Sequence, residues 1–510
     1  MACLPPWPAP CHDGPAAPFG LILWFDHAAP AAPVFPFSLF PPMTARDLTS
    51  GSIPRWLLVL GLPTFGSFVM QSAYFLVDLY FVGGLGAASI AGLGISLNTF
   101  FIILAVGQTI GIGGLALISQ TYGRGERAQV PMIFQQVFWL TLVGGLTMWG
   151  VMWLLARPYI GLFTGDAAVF REGVAFFQWY VGAFFTQVFI MTCGMCWRAV
   201  GDFLTPMRLM LLSLLLNMAL DPLLIYGWGP VPGLGIAGAG MATLLAQGVA
   251  VAVYLWLIFR SPRNRLLVVR APLLVDPAMM RRLLTIGFPA GIRDVMFAGA
   301  LMLVYYFVQP FGPQASAAVG VGFRIIQTGV MPAVAVGAAV ASMVGQNYGA
   351  GHHDRAKAAM LWGAGAGLGL LGAEYLALLA APQFWVSLFT EAPGVLNLGA
   401  LYLVIGGLIL PTSGINIVVI FAAQGLGRTG QTLAAQTVRL SALALLLWGS
   451  SLWLELSVRG VFWMATGASL LEGCYMLGVL VYFWRRVLRE TEPQAVPGTM
   501  STAPAAAVAD

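Results

Sequence analysis

Long apolar runs dominate the chain, and polar residues punctuate them instead of alternating with them. Reading each run between clusters of charge, glycine and proline gives twelve segments. They lie at about residues 56–82, 92–119, 131–155, 168–197, 205–227 and 234–259, then 280–309, 314–346, 357–387, 393–423, 431–457 and 460–484. A helix needs about 20 mainly apolar residues to cross a bilayer, and each run supplies them. Soluble helices would show a polar face at the helical period, which these runs lack. The pattern predicts an all-α polytopic membrane protein with twelve transmembrane helices.

Composition narrows the class further. Of 510 residues, 59% are hydrophobic and 8% charged, and the mean hydropathy is +0.86, which excludes a soluble enzyme or a disordered chain. The 62 glycines suit close helix approach in a membrane. The net charge of +5 and pI near 9.0 could suggest nucleic acid, so the placement of the 24 basic residues decides the matter. If both termini are cytoplasmic, 18 of them fall in inner loops and tails. Three lie outside (Arg157, Arg171, Arg459) and three within spans (Arg293, Arg324, Arg439). This asymmetry follows the positive-inside rule, so the basic balance reports orientation and no nucleic-acid partner is expected.

Internal repetition organises the spans. Gly61-Leu62-Pro63 recurs as Gly287-Phe288-Pro289, Gln120-x-Tyr122-Gly123-x-Gly125 as Gln346-x-Tyr348-Gly349-x-Gly351, and Leu162-Phe163-Thr164 as Leu388-Phe389-Thr390, all at an offset of 226. The chain therefore reads as an N-lobe over 51–259, a basic linker over 260–279 and a C-lobe over 280–485. Six spans per half give the two six-helix lobes the same membrane orientation, related by a pseudo-twofold axis along the membrane normal with a cleft between them. Residues 1–50 read as a proline-rich leader, disordered or misannotated, with Met43 as the natural start; residues 486–510 read as a disordered tail.

Five acids fall within spans, where a central carboxylate costs roughly 2.5–3.5 kcal/mol and needs a partner or a purpose. Asn217 and Asp221 share one face of span 5, and Asp78 and Thr243 lie at a similar depth in spans 1 and 6. Two carboxylates, an amide and a hydroxyl offer the oxygen ligands of a hard cation such as Na⁺, and they equally suit a proton. The same group could be a structural hydrogen-bonded network, and spacing alone leaves both readings open. The repeat mates of Asp78, Asn217 and Asp221 are Val304, Leu443 and Leu447, so this chemistry belongs to the first half alone. Asp294 follows Arg293 and suggests an internal ion pair; Glu472 is matched with Arg439, and Glu374 has no visible partner. Pro63 in span 1 is either a static kink or the point at which the helix bends.

Cys193-Gly-Met-Cys196 has redox spacing but no second pair, and His352-His353-Asp354 cannot all face one ion on regular backbone, so no metal is expected there. Gly111-x-Gly113-Gly114 lies in an apolar helix and implies no nucleotide.

The chain resembles the multidrug and toxic compound extrusion (MATE) family of secondary transporters over about residues 55–485. The resemblance rests on Val77-Asp78-Leu79-Tyr80-Phe81-Val82-Gly83, Gln120-Thr-Tyr-Gly-Arg-Gly125, Arg198-Ala-Val-Gly-Asp202 with Thr205-Pro206, Asn217-Met-Ala-Leu-Asp221-Pro222, Met331-Pro332 and Val344-Gly-Gln-Asn-Tyr-Gly-Ala-Gly351. It implies an antiporter that exports drugs or organic, often cationic, small molecules in exchange for H⁺ or Na⁺ by alternating access, with no cofactor. The family's N-lobe cation site maps onto Asp78, Asn217, Asp221 and Thr243, its bending proline onto Pro63, and a participating tyrosine onto Tyr180. Phe297 stands where other branches carry an acid, with Asp294 one turn earlier, which is similar to the DinF-like branch. The resemblance further implies a multi-pass protein of the bacterial cytoplasmic membrane, acting as a monomer with lipids and a small-molecule substrate as partners. The rival readings are a lipid-intermediate flippase of a related two-lobe fold and a membrane-embedded lipid-linked transferase. The first would want a strongly cationic cavity, the second an outer acid or histidine constellation.

Overall fold

The computed structural model describes residues 45–97, 99–230, 232–260, 266–269, 275–453 and 456–485. The leader up to residue 44 and the tail from 486 lie outside the described residues. Span 1 is α1 (Ile53–Gly83), and span 2 is α2 (Ala87–Leu97) followed by α3 (Phe100–Gly123). Spans 3 to 6 are α4 (Val130–Phe163), α5 (Ala167–Ala199), α6 (Leu204–Tyr226) and α7 (Ile236–Phe259). The second half begins with α8 (Pro277–Val308), α9 (Pro313–Gly349), α10 (His353–Ala380) and the short α11 (Pro382–Ser387). It ends with α12 (Pro393–Gly407), α13 (Leu410–Leu426), α14 (Gly430–Trp453) and α15 (Val458–Arg485). Among the described residues, eleven helices are long and apolar enough to cross a membrane, and α12 with α13, bent by 54°, gives a twelfth when the pair is counted as one span.

Three expected boundaries move. Span 2 starts near residue 87 instead of 92 and is interrupted between α2 and α3, where the Thr99 hydroxyl donates to the Ser96 carbonyl. Span 9 ends at Ala380, with Pro382 opening a separate turn of helix. The leader was expected to reach residue 50, yet residues 45–50 are packed. Leu48 is fully buried, its N–H donates to Gln346 Oε1 at 2.9 Å and its carbonyl accepts from Asn347 Nδ2 at 3.1 Å. In the same segment the Thr49 hydroxyl donates to Asp47 and holds that carboxyl below its usual range.

Backbone geometry carries the repeat beyond its motifs. Among the described residues, six of the ten glycines with positive φ stand in pairs 226 residues apart: Gly86 (109°) with Gly312 (93°), Gly125 (79°) with Gly351 (75°), and Gly201 (86°) with Gly427 (68°). Each pair turns the chain at the same place in the two halves, in a conformation that side chains rarely adopt.

The lobes meet near the end that carries the arginine-rich loops, here the basic end. Gln120 Nε2 donates to the Gly425 carbonyl and Gln346 Nε2 to the Ala199 carbonyl, both at 2.9 Å. These four residues form two repeat pairs, so the pseudo-twofold axis runs between the bonds. Beside them a Cβ on Gly123 would collide with the Gln346 carbonyl, and one on Gly349 with the Gln120 carbonyl. Hydrogen bonds join the lobes from this crossing up to Ser72 and Met331, where the contact is 3.8 Å, and at the start of α8, where Asp276 N–H reaches Gln136.

α1 belongs to both lobes. Its inner residues Ile53, Leu57 and Leu60 pack into a core with Ala338–Val340, Met360 and Val418 of the C-lobe, whereas Tyr74 and Val82 pack in the N-lobe. Pro63 lies where the helix changes partners. The helix runs unbroken through it, flanked by the Thr64 and Ser67 hydroxyls, which donate to the Leu60 and Pro63 carbonyls.

A buried carboxylate pair in the N-lobe

The candidate site is built where four N-lobe helices turn polar residues inward. On α6, Ser213, Asn217 and Asp221 recur at four-residue spacing and are all buried, whereas Leu211, Leu215 and Met218 face outward. On α1, Tyr74 and Asp78 are one turn apart and 3% and 4% exposed. α7 approaches closely because Ala239, Ala242, Ala246 and Ala250 form its packed face, and it brings Thr243 and Gln247. α5 adds Tyr180, stacked on Phe176 with ring centroids 4.9 Å apart, and Gln187.

The structure brings Asp78, Asn217 and Asp221 together. Asn217 Nδ2 donates to Asp221 Oδ1 at 3.1 Å, and Asp78 lies against both residues. Asp78 Oδ1, Asp221 Oδ2, Asn217 Oδ1, the Tyr74 hydroxyl and Ser213 Oγ are buried with no hydrogen-bond partner among the described residues. Beside them Gln71, Tyr74, Asp78, Tyr180, Gln187, Thr243 and Gln247 line a cavity of about 20 Å³, about the space that one water needs. Thr243 spends its proton on the Ala239 carbonyl at 3.1 Å, so its oxygen lone pairs remain for the cavity. Gln247 is fixed by the Thr186 hydroxyl at 2.7 Å and by its own bond to Gln187 at 2.9 Å. Two adjacent carboxylates with orphaned oxygens repel one another unless a proton or a cation sits between them. The arrangement can take up one small positive charge and release it.

Asp294 is not part of this group. It sits on α8 in the other lobe, 8% exposed, paired with Arg293 at 2.5 Å. Arg439 pairs with Glu472 at 3.6 Å and lies 5.2 Å over the Phe297 ring. Both Glu374 oxygens are buried without a partner among the described residues, against Gly329 of α9. Cys193 and Cys196 are free and buried, and among the described residues no group of metal-ligating side chains forms.

Sequence reading missed Tyr74, Ser213 and Gln247. Each stands one helical turn from a residue it did single out (Asp78, Asn217 and Thr243), and that spacing was the available signal.

Comparison with known proteins places this arrangement in a family. The MatE family model matches residues 63–223 and 289–447. Its two matches begin at Pro63 and at Pro289, the repeat mates. The FAD transporter of Shewanella oneidensis is 28% identical over 409 residues, covering 79% of this chain and 88% of that protein. A Bacillus subtilis protein named "Probable multidrug resistance protein YoeA" is 28% identical over 322 residues, 62% of this chain and 69% of that one. Among solved structures, a MOP superfamily transporter from Pyrococcus furiosus superposes with a TM-score of 0.79 at 20% identity, over 88% of this chain and all of that one.

Proposed function

The chain belongs to the MatE family of efflux transporters, and from that premise we propose that it is a secondary active antiporter exporting small organic molecules in exchange for H⁺ or Na⁺. The observation that carries this reading is the buried pair Asp78 and Asp221, with orphaned oxygens beside a cavity sized for a water or a bare ion and too small for a drug. The coupling ion and the substrate thus have separate places, the ion inside the N-lobe and the substrate between the lobes. By the positive-inside rule the basic end faces the cytoplasm of a bacterial inner membrane, with both termini on that side. The Gln120 and Gln346 bonds then hold the cytoplasmic side shut, and the cleft opens outward.

In this cycle Asp78, Asn217 and Asp221 take up the ion from outside, with Thr243 as a further oxygen ligand and Tyr180 as part of the wall. Uptake relieves the repulsion between the carboxylates and changes how tightly the outer half of α1 is held in the N-lobe. Because α1 is anchored in the C-lobe below Pro63 and in the N-lobe above it, Pro63 is where that change bends the helix. An ion drives the cycle only through different affinity for the two states, and opening or closing the site around two carboxylates supplies such a difference. The test is efflux of a fluorescent dye from proteoliposomes with a Na⁺ gradient and a pH gradient imposed separately. One of the two gradients is expected to drive efflux, and efflux that responds to neither would remove the antiport reading.

A further inference from the structure

The chemical class of the substrate can be approached through the charges that face the cleft. Asp78 and Asp221 are sealed in the N-lobe, at 4% and 0% exposure. In the C-lobe, Arg293 is neutralised by Asp294 and Arg439 by Glu472. Glu374 meets α9 at Gly329, well round the helix from the face that looks at the N-lobe. That leaves Arg324, exposed on α9 and paired with no acid among the described residues.

Its direction follows from helical geometry. Met331 of α9 touches Ser72 of α1, and one turn further in Ala335 lies against Gly61 of α1. Arg324 is seven residues before Met331, two turns along the same stripe and about 10 Å nearer the outer end at 1.5 Å per residue. On α1, which runs the opposite way, Leu79 stands seven residues beyond Ser72 on the stripe that contains Gly61, and it is 45% exposed. Arg324 and Leu79 therefore lie on the stripes by which α9 and α1 meet, both on the outer side of the Ser72 and Met331 contact. Gln327 and Thr328, both exposed, flank the arginine on the same wall. An unpaired guanidinium inside a span is costly unless it meets an anion or water, and its planar donors suit a carboxylate or phosphate.

We infer that the open cleft is a site for substrates bearing a carboxylate, phosphate or other anionic group, which Arg324 receives on the C-lobe wall. The inference rests on the export reading and departs from the often-cationic class that the family resemblance implies. An anion leaving past Arg324 and a cation entering the N-lobe occupy different lobes, so neither competes for the other's ligands.

Two measurements on the full-length protein test it, and neither uses an ion gradient, so their failure leaves the antiport reading standing. In the first, Leu79→Cys is labelled with an anionic sulfonatoethyl or a cationic trimethylammonioethyl methanethiosulfonate and read by peptide mass spectrometry. Relative to free cysteine, the anionic reagent is expected to be favoured at least about tenfold, the size a unit charge about 12 Å away gives at an effective dielectric near 20. Arg324→Gln should abolish the preference and Arg324→Lys retain it. A preference unchanged in Arg324→Gln, or no labelling by either reagent, would overturn the proposal. In the second, anisotropy compares fluorescein with tetramethylrhodamine methyl ester, one ring system in two charge states. Tighter binding of fluorescein that is lost in Arg324→Gln supports the proposal, and equal or reversed preference overturns it. Fluorescein binding that survives the substitution while phosphatidylglycerol binding is lost would place the arginine on a lipid headgroup and also overturn it.

Discussion

Asp78 and Asp221 hold a chemical tension in one place, because each buries an oxygen with no hydrogen-bond partner among the described residues and the two carboxylates are neighbours. Asn217 orients one of them through a single bond at 3.1 Å. Replacing Asn217 with Ala frees the Asp221 carboxylate, and the loss of a hydrogen bond to a charged group is worth about 1.5–3 kcal/mol. For Na⁺, which Asn217 Oδ1 also ligates in this account, the half-saturating concentration should therefore rise at least about tenfold, measured as the dependence of efflux rate on Na⁺ concentration. Tyr74→Phe removes a buried hydroxyl that has no hydrogen-bond partner among the described residues, so the fold should tolerate it, with a melting temperature within about 2 °C of wild type. The principal members of this site were legible in the sequence because charge in an apolar span is costly and so conspicuous. Tyr74, Ser213 and Gln247 were not, because a tyrosine, a serine or a glutamine in a span is common enough to need no explanation. Arg324 was visible as a charge, but only the stripe shared with Met331 and Ala335 shows which way it faces.

At the scale of elements, the repeat mates differ where function divides the halves. α8 crosses α3 so closely that a Cβ on Gly287 would collide with the Thr109 carbonyl, and a Cβ on Gly291 would collide with the Thr109 hydroxyl. The equivalent crossing of α1 over α9 is looser, since a Cβ on Gly61 would lie 3.9 Å from the Ala335 carbonyl, an ordinary contact. Gly287→Ala should then cost about 1–3 kcal/mol through forced separation of the helices, whereas Gly61→Ala should be close to neutral. Thermal unfolding in detergent distinguishes them, and equal shifts would contradict the asymmetry. The looser fit is on the helix proposed to bend. The span boundaries were readable from hydropathy, but the interruptions between α2 and α3 and between α12 and α13 were not. Both sides of each break are apolar and no charge run marks them; Pro411, the second residue of α13, was the one available signal at the α12–α13 break.

At the scale of the whole molecule, two lobes are locked at one end by a symmetric pair of glutamines. Replacing Gln120 with Leu removes one bond from that crossing, whereas replacing Gln346 removes one there and also the Leu48 N–H bond to its Oε1, so the second should have the larger effect. Spin labels at Arg127 and His352 should report a wider or more heterogeneous separation in either variant, and a larger one in both together; unchanged distances would mean the glycine crossings alone keep it shut. The offset of 226 was legible from motifs, but the contacts across the axis needed the fold. Glutamine and glycine carry no sign of which distant carbonyl they will meet. The central claim is that the N-lobe carboxylates couple an ion gradient to export. It is tested most directly by gradient-driven dye efflux from proteoliposomes containing Asp78→Asn, with folding checked by size-exclusion elution. The account predicts that efflux driven by the gradient is abolished while the protein elutes as wild type; efflux at the wild-type rate would contradict it.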